Sequence, residues 1–221
     1  MSHHNLFVFD IETVPDTLVV PKLTGFTQSD VNLRRDELNR YHLNLSGGKN
    51  TFPRQPFHQV VAISFIVSEI HREGSQEKYL LRELRSGGKE ESSERDLIIG
   101  FYQYLEKIKP RLVTFNGRSF DLSVLKYRAM LHGVSATYLY NIGDKWNSYT
   151  SRYSDDWHCD LAEVLSDYGA SIRPKLNEIC SVLGFPGKLG VDGSKVSKMF
   201  DAGKIREIRE YCELDVLNTY L

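Results

Sequence analysis

The feature that most constrains the fold is a short apolar run near the start of the chain, which ends in two acids. Residues 6–11 have the sequence LFVFDI, with apolar side chains at both odd and even positions, and Glu12 follows. A strand with apolar residues on both faces is typical of the centre of a sheet that is covered by helices on both sides. The run therefore predicts a buried central strand in an α/β domain.

Further strand and helix patterns follow in an order that supports this class. Strand patterns occupy residues 58–67, 78–84 and 111–116, and the Gly74-Ser75 connection predicts that the first three strands form an antiparallel meander. Helical patterns occupy about residues 94–109, 121–132, 160–168, 175–183 and 203–221, with an irregular polar and aromatic stretch at 141–157. A meander followed by strand–helix units predicts an α/β fold with a mixed central sheet of about five strands flanked by helices. The ribonuclease-H-like fold is the leading candidate.

One segment interrupts the pattern, at about residues 14–56. It contains four prolines and a Gly47-Gly48 tip, and its one helical stretch is polar and covers about residues 31–43. A connection of this length between two strands is usually functional or mobile. We therefore expect one domain over residues 1–221 that carries an insertion at about 14–56.

Composition excludes several classes of protein. Hydrophobic residues make up 41% and charged residues 26% of the chain, as in ordinary globular proteins. No apolar run approaches the ~18 residues of a membrane span, and the N-terminus lacks the layout of a secretory signal. The three cysteines form no C-x-x-C pair, which argues against a disulfide framework and a thiolate zinc site. These features predict a soluble, cytoplasmic protein without a membrane partner.

The net charge bears on nucleic-acid binding. The chain has 28 Lys and Arg against 29 Asp and Glu, a net charge of −1, which is not the basic footprint of a passive duplex-binding protein. Four acids used as metal ligands would leave the rest of the chain slightly positive. The charge therefore argues against a coating protein more than against a metal-dependent nuclease.

Asp10 and Glu12 are the first candidate functional residues. Because they lie two apart on a predicted strand, their side chains point to the same face. Two carboxylates at the edge of an apolar core repel each other, and a hard divalent cation such as Mg²⁺ relieves that repulsion. The alternative is a pair of acids that leaves the strand into solvent.

Two later elements carry further acids. Asp121 follows the Asn116-Gly117 turn at the end of a predicted strand, where ligand crevices form in α/β sheets, although it could simply cap the next helix. Tyr211 and Asp215 lie four apart on the last predicted helix and so share one face, although Asp215 could simply face solvent. The ordered set of four acids and a tyrosine is more specific than any member alone.

These residues resemble a known family. The segments Phe9-Asp10-Ile11-Glu12-Thr13, Asn116-Gly117-Arg118-Ser119-Phe120-Asp121 and Tyr211-Cys212-Glu213-Leu214-Asp215 are similar to the three exonuclease motifs of the DEDD superfamily. The tyrosine-bearing branch fits, because Glu210 stands where the other branch has a histidine. The chain looks like the bacterial predicted 3′–5′ exonucleases related to the proofreading domain of family-B DNA polymerases, over nearly its whole length. Residues 56–64, 184–188 and 190–194 add to this likeness.

The resemblance implies roles for the motif residues. Asp10, Glu12, Asp121 and Asp215 would hold two divalent metal ions, Mg²⁺ or Mn²⁺, and Tyr211 would orient the attacking water. Thr13, Asn116 and Phe120 would contact the substrate. The implied activity is hydrolysis of phosphodiester bonds from the 3′ end of single-stranded nucleic acid, with release of nucleoside monophosphates.

Two other functions remain open from the residues. One is a different metal-dependent phosphodiesterase or nucleotide hydrolase on the same fold, and the other is a non-catalytic nucleic-acid-binding module. DNA is the favoured substrate, but RNA is possible, because the groups that would contact a 2′-hydroxyl cannot be located from the sequence. Thr13 and Asn116 also have plain structural interpretations, as a strand-end hydroxyl and a turn residue.

Overall fold

A single five-stranded sheet organises the protein. The structure, a computed structural model, describes residues 3–187 and 193–221. The strands are β1 (Asn5–Pro15), β2 (His58–Glu73), β3 (Gln76–Ser86), β4 (Arg111–Thr114) and β5 (His158–Asp160). Their order in the sheet is β3-β2-β1-β4-β5; β1, β2 and β3 pair antiparallel, and β1, β4 and β5 pair parallel. The predicted mixed sheet, its central β1 and the antiparallel meander are confirmed.

Helices cover both faces of this sheet. They are α1 (Val20–Thr24), α2 (Val31–Leu45), α3 (Glu94–Ile108), α4 (Asp121–His132), α5 (Thr137–Asn141), α6 (Leu161–Val164), α7 (Leu176–Leu183), α8 (Val196–Asp201) and α9 (Ile205–Tyr220). The alternate side chains Phe7, Phe9 and Ile11 of β1 pack into a core with α3 and α4. Leu6 and Val8 pack on the other face with Val216 of α9. A strand that is apolar on both faces is thus explained by a helix layer on each side.

Several predicted boundaries are wrong. β1 continues to Pro15, beyond the predicted end at residue 11, because β2 extends alongside it and pairs His58 with Pro15. β4 ends at Thr114 rather than at residue 116. The predicted helix over 160–168 is shorter: β5 occupies its first residue, α6 ends at Val164, and a 3₁₀ turn follows at Asp167–Gly169. α1, β5, α5 and α8 were not predicted, because three to six residues carry too little periodicity.

The insertion is attached to the domain at several points. β1 extends to Pro15, so the first two residues of the predicted insertion, at about 14–56, belong to this strand. Arg35 of α2 forms an ion pair with Asp201 of α8, and the Gln55 amide donates to the carbonyl of Ser119 at 3.1 Å. A 3₁₀ turn at Gln55–Phe57 leads into β2. The end of the insertion therefore lies against the segment that precedes α4.

The stretches 184–188 and 190–194 carry part of the resemblance, and their residues 188 and 190–192 lie outside the described residues. None of the helices in residues 3–187 and 193–221 has the length and apolar character needed to cross a lipid bilayer.

Candidate active site

The carboxyl-terminal part of β1 carries the first two acids. Asp10 and Glu12 lie on the same face of β1 as Leu6 and Val8, the face that α9 covers. The pairing of β1 with β2 is interrupted here, since Glu12 pairs with Ala62 and Thr13 with Val60. Val61 is therefore the extra residue of a β-bulge, a feature that bends a strand and redirects its side chains. The bulge lies directly opposite the Glu12-Thr13 step.

Asp121 reaches the same place from the other side of β1. It is the first residue of α4 rather than its N-cap, which is Phe120. Its carboxylate oxygen Oδ1 accepts a hydrogen bond from the backbone amide of Ile11 at 3.1 Å. A carboxylate that accepts from the amide between Asp10 and Glu12 is fixed beside them. The N-cap alternative for Asp121 is therefore wrong.

Helix α9 supplies the remaining residues of the set. Tyr211, Cys212 and Asp215 are all buried on its inner face. The Cys212 thiol donates to the backbone carbonyl oxygen of Asp10 at 3.4 Å and lies 3.7 Å from its carboxylate. The hydroxyl of Tyr211 is hydrogen-bonded to Asp215. The structure thus brings Asp10, Glu12, Asp121, Tyr211 and Asp215 together from three separate elements.

The proximity of these groups changes their protonation. Burial, and then the negative charges of Asp121, Glu12 and Asp215, raise the pKa of Asp10 well above its usual range. Burial also raises the pKa of Asp121 to about 7, although hydrogen bonds from backbone amides oppose the shift. Burial and the charges of Asp215 and Glu12 raise the pKa of Tyr211 as well. Like charges held together in a poorly hydrated place account for these shifts.

The same group of oxygens suits a hard cation. Ligand atoms of Asp10, Glu12 and Cys212 lie within 4.8 Å of one another. Burial and the neighbouring acids raise the pKa of the Cys212 thiol well above its ordinary value, so the sulfur keeps its proton and donates it. Carboxylate oxygens are the ligands that Mg²⁺ and Mn²⁺ prefer. The acids therefore fit such an ion, whereas Cys212 acts as a hydrogen-bond donor.

Asp160 is a residue whose importance the sequence interpretation missed. It is the last residue of β5, is 2% exposed, and caps α6 by accepting from the amide of Ala162. Its two oxygens also accept from the backbone amides of Asn116, at 2.7 Å, and Arg118, at 2.9 Å. These bonds hold the turn that leads to Asp121. Its place at the carboxyl end of a strand was the available signal, but the strand is too short to recognise.

Asn116 adopts a backbone conformation that few residues tolerate. Its φ is +68°, which asparagine accepts more readily than most side chains. At Gly117 a Cβ would lie only 2.5 Å from the side chain of Thr114, so a larger residue cannot occupy that position without movement. The side-chain oxygen of Asn116 accepts from Ser119 at 2.6 Å and from Arg173 at 2.7 Å. The turn residue predicted to contact substrate is thus also held by a cation.

Thr13 and Phe120 lie together on another side of the acids. The hydroxyl of Thr13 is hydrogen-bonded to Nδ1 of His58 at 2.9 Å. The ring of Phe120 packs edge-on against the ring of His58, with 4.9 Å between their centroids. His58, the first residue of β2, therefore connects two of the residues predicted to contact substrate.

An open cavity adjoins the acids. Its volume is about 560 Å³, and its lining includes Asp10, Asp215, Asn116, Arg173 and Lys175. The last two belong to the segment that leads into α7. Two basic side chains beside a carboxylate group are suited to a ligand that carries several negative charges along its length.

A sequence comparison identifies the family. Residues 50–221 match the family described as predicted 3′–5′ exonucleases related to the exonuclease domain of PolB. The chain belongs to this family. It is thus a member of a family of nucleases, the hydrolases that cleave phosphodiester bonds, as the motifs predicted. The match is narrower than the expected likeness over nearly the whole chain, and Asp10 and Glu12 lie before it.

Comparison with solved structures identifies the fold. The family B DNA polymerase from the hyperthermophilic archaeon Pyrobaculum calidifontis matches with a TM-score of 0.55 and 16% sequence identity, over 98% of this chain and 24% of the polymerase. The chain therefore spans about a quarter of the length of that polymerase, and the match supports the predicted ribonuclease-H-like fold.

Weaker structural matches extend over the same part of the chain. A product-bound structure of exonuclease I matches with a TM-score of 0.41 and 9% identity, over 98% of this chain and 46% of the other. Exonuclease I of E. coli in complex with a 5cy-dT13 oligonucleotide matches with a TM-score of 0.40 and 10% identity, over 98% of this chain and 43% of the other. A search of curated protein sequences finds no match.

Proposed function

We propose that the chain is a two-metal-ion 3′–5′ exonuclease that acts on single-stranded nucleic acid, with DNA favoured, and releases nucleoside monophosphates. The observation that carries the proposal is the convergence of Asp10, Glu12, Asp121 and Asp215. They come from one strand and two helices and meet at one point beside an open cavity. We further propose that residues 1–221 act as one exonuclease domain in the cytoplasm, with the insertion as part of it.

The carboxylates are the proposed binding site for the cations. Asp10, Glu12, Asp121 and Asp215 would hold two divalent ions, Mg²⁺ or Mn²⁺, which when bound stabilise the attacking and leaving oxygens of a phosphoryl displacement. The chain positions these ligands rigidly, because the Ile11 amide holds Asp121 and the Cys212 thiol holds the backbone at Asp10. The raised pKa of Asp10 supports the same role. It shows that the ionised carboxylate is unfavourable beside the other acids, and a bound cation would relieve that cost.

Tyr211 is the proposed residue that orients the attacking water. Its hydroxyl lies among Asp10, Glu12 and Asp215, which together with burial raise its pKa above the ordinary value of about 10. The phenol therefore stays protonated near neutral pH and acts as a hydrogen-bond partner rather than as a base. A hydroxyl that is already hydrogen-bonded to Asp215 has a fixed direction, which suits the positioning of a water.

The basic residues of the cavity are the proposed contacts for the strand. Arg173 is held in place by the side chain of Asn116 and by an ion pair with Glu163 at 3.4 Å. Its side chain is 39% exposed, so a guanidinium group remains accessible beside the acids. Lys175 lines the same cavity. We propose that these two cations bind phosphates next to the scissile one, a contact that does not depend on base sequence.

The test is an end-labelled digestion. A 5′-labelled single-stranded DNA oligonucleotide is incubated with the protein in Mg²⁺, in Mn²⁺ and in chelator, beside an RNA oligonucleotide of the same sequence. We expect a ladder that shortens stepwise from the 3′ end in either metal, no cleavage in chelator, and faster cleavage of DNA. A variant with Asp10→Asn and Asp215→Asn serves as the inactive protein, and Asp156→Asn, whose side chain is 89% exposed, is the matched control.

The outcomes separate the remaining alternatives. Internal cuts, or hydrolysis of mononucleotides alone, would assign the same carboxylates to another metal-dependent hydrolase. Binding of the oligonucleotide without cleavage in any metal, by a folded protein, would indicate a non-catalytic binding module. A ladder that the double variant still produces would place the active site elsewhere.

A further inference from the structure

The insertion brings an exposed aromatic ring to the proposed active site. Phe52 lies in the loop between α2 and β2, and its side chain is 57% exposed. Its ring centroid is 5.0 Å from that of His58 and 6.0 Å from that of Phe120. No sequence motif includes Phe52, whereas Phe120 is one of the residues predicted to contact substrate.

The loop holds Phe52 in a defined place. The backbone amide of Phe52 donates to the side chain of Asn50 at 2.9 Å, and the amide of Arg54 donates to the buried ring of His42 at 3.1 Å. The carbonyl of Pro53 accepts from Nε2 of His58 at 2.9 Å. Phe52 is thus a large exposed apolar ring on a backbone that hydrogen bonds hold on both sides of it. Such a ring is preorganised for binding, because little conformational freedom remains to be lost.

The hydrogen bonds of His58 connect this loop to Thr13. A carbonyl oxygen can only accept, so Nε2 of His58 carries a proton, and burial lowers the pKa of the ring and keeps it neutral. Nδ1 therefore accepts a hydrogen bond from the hydroxyl of Thr13. The lone pairs of the Thr13 oxygen are left available to accept a hydrogen bond from a ligand hydroxyl, and Thr13 follows directly after Glu12.

The two phenylalanine rings form one surface rather than a slot. Their centroid separation of 6.0 Å and tilt of 43° are those of rings in contact, which leaves no space for a base between them. A base would instead lie against their accessible faces. Stacking on aromatic side chains is the usual way in which proteins bind unpaired bases without reading their sequence.

We propose that Phe52, together with Phe120, stacks on the unpaired base at the 3′ end of the strand, so that the insertion supplies part of the terminal-nucleotide subsite. The inference rests on the proposed function, because it assumes that the 3′ end lies beside Thr13 and Glu12. Phe52 is a binding residue here and takes no part in bond cleavage.

The test compares substitutions of Phe52 in binding and in catalysis. The dissociation constant of a 5′-fluorescein-labelled oligothymidine is measured by anisotropy in chelator, and KM and kcat are measured in Mn²⁺. We expect Phe52→Ala to weaken binding and raise KM by about 5- to 150-fold, the range expected for loss of one stacking contact, with little change in kcat. Phe52→Trp should restore wild-type values. Leu45→Ala, an exposed apolar residue of the same insertion, is the control.

An oligonucleotide with an abasic 3′-terminal nucleotide provides the second arm. If Phe52 stacks on the terminal base, the wild-type protein binds the abasic strand as weakly as Phe52→Ala does, and the substitution causes no further loss. The inference would be overturned if Phe52→Ala lost the same affinity for the abasic strand as for the intact strand, or if its binding and KM were unchanged. Either result would leave the exonuclease proposal intact. Wild-type binding that depends on Phe52 without any cleavage would overturn the exonuclease proposal alone. A folded wild-type protein that binds no single strand would overturn both.

Discussion

Two groups of buried acids lie close together along β1, and their partners differ. In the candidate active site, Asp10 is surrounded by Asp121, Glu12 and Asp215, and burial together with their charges raises its pKa. Beyond the end of β1, Asp16 and Glu94 surround the guanidinium of Arg128, with N···O distances of 2.6 Å to each. The first group gathers like charges, whereas the second contains its own cation.

The contrast separates a binding site from a structural one. Arg128 is 5% exposed and binds Glu94 through two nitrogens, while Glu94 also accepts from the backbone amide of Val60 at 2.7 Å. This network fixes α3, α4 and the start of the insertion around the bulge in β2. Buried acids that a cation of the chain neutralises hold the fold together. Acids that repel one another weaken the fold unless a ligand compensates them.

The largest effect is expected from the carboxylates themselves. Replacing both Asp10 and Asp215 by Asn should reduce the exonuclease rate by about 1,000-fold or more, because cation stabilisation of the reaction is worth several kcal/mol. The same change should raise the melting temperature in chelator, since it removes two of the mutually repelling charges. Kinetics in Mn²⁺ and thermal unfolding in chelator measure the two effects. A lower melting temperature in chelator would contradict the repulsion that distinguishes this group.

Arg128→Met should have the opposite effect on stability. It leaves Asp16 buried without its cation and Glu94 with only His132 as a basic partner, at 2.8 Å, which should lower the free energy of unfolding by about 3–5 kcal/mol. Urea unfolding followed by circular dichroism measures this. The control Arg206→Met, at a surface pair with Glu210, should change it by less than about 1 kcal/mol.

A compensated variant sharpens the same test. Combining Arg128→Met with Asp16→Asn and Glu94→Gln removes the uncompensated charges and should recover much of the loss. If the triple variant is as unstable as Arg128→Met alone, packing rather than charge would explain the effect.

Asp160 represents a third arrangement, in which backbone amides rather than a cation stabilise a buried acid. Asp160→Asn leaves one accepting oxygen in place of two and should destabilise the protein by about 1.5–3 kcal/mol. It should also lower kcat, because the turn that positions Asp121 loses a bond from Asn116 or Arg118. Unfolding and kinetics are measured beside Asp156→Asn, which should behave as the wild type. An unchanged kcat in a folded Asp160→Asn protein would contradict the positioning role.

The smallest expected effect is a dependence of stability on pH. Because the pKa of folded Asp121 is about 7 and that of an unfolded aspartate about 3.9, the folded protein holds more protons between these values. The contribution of Asp121 to the stability of the folded protein is therefore full below about pH 4 and is lost as the pH rises through 7. In chelator, the melting temperature should therefore fall more steeply between about pH 5 and 8 for the wild type than for Asp121→Asn, by several °C. Adding Mn²⁺ should remove the difference, and equal slopes in chelator would contradict the assignment.

Much of the fold could be predicted because it depends on local patterns. The apolar run of β1 and the helical patterns of α3 and α4 are all present in the structure as predicted. The family follows from motifs that are each contiguous in sequence. The boundaries that were wrong lie where pairing between distant segments lengthens a strand, as at Pro15, or where an element is too short to show a period, as in β5.

The candidate site divides in the same way. The sequence by itself determined which acids share a face of β1 and of α9, because the spacing of two residues on a strand and four on a helix sets that geometry. Only the tertiary structure decided that Asp121 accepts from Ile11, that Asp160 holds the turn before it, and that Phe52 lies against Phe120. The two hydrogen bonds join residues 110 and 44 positions apart, and Phe52 comes from an insertion with no periodic pattern. The packing of the whole sheet brings these residues together.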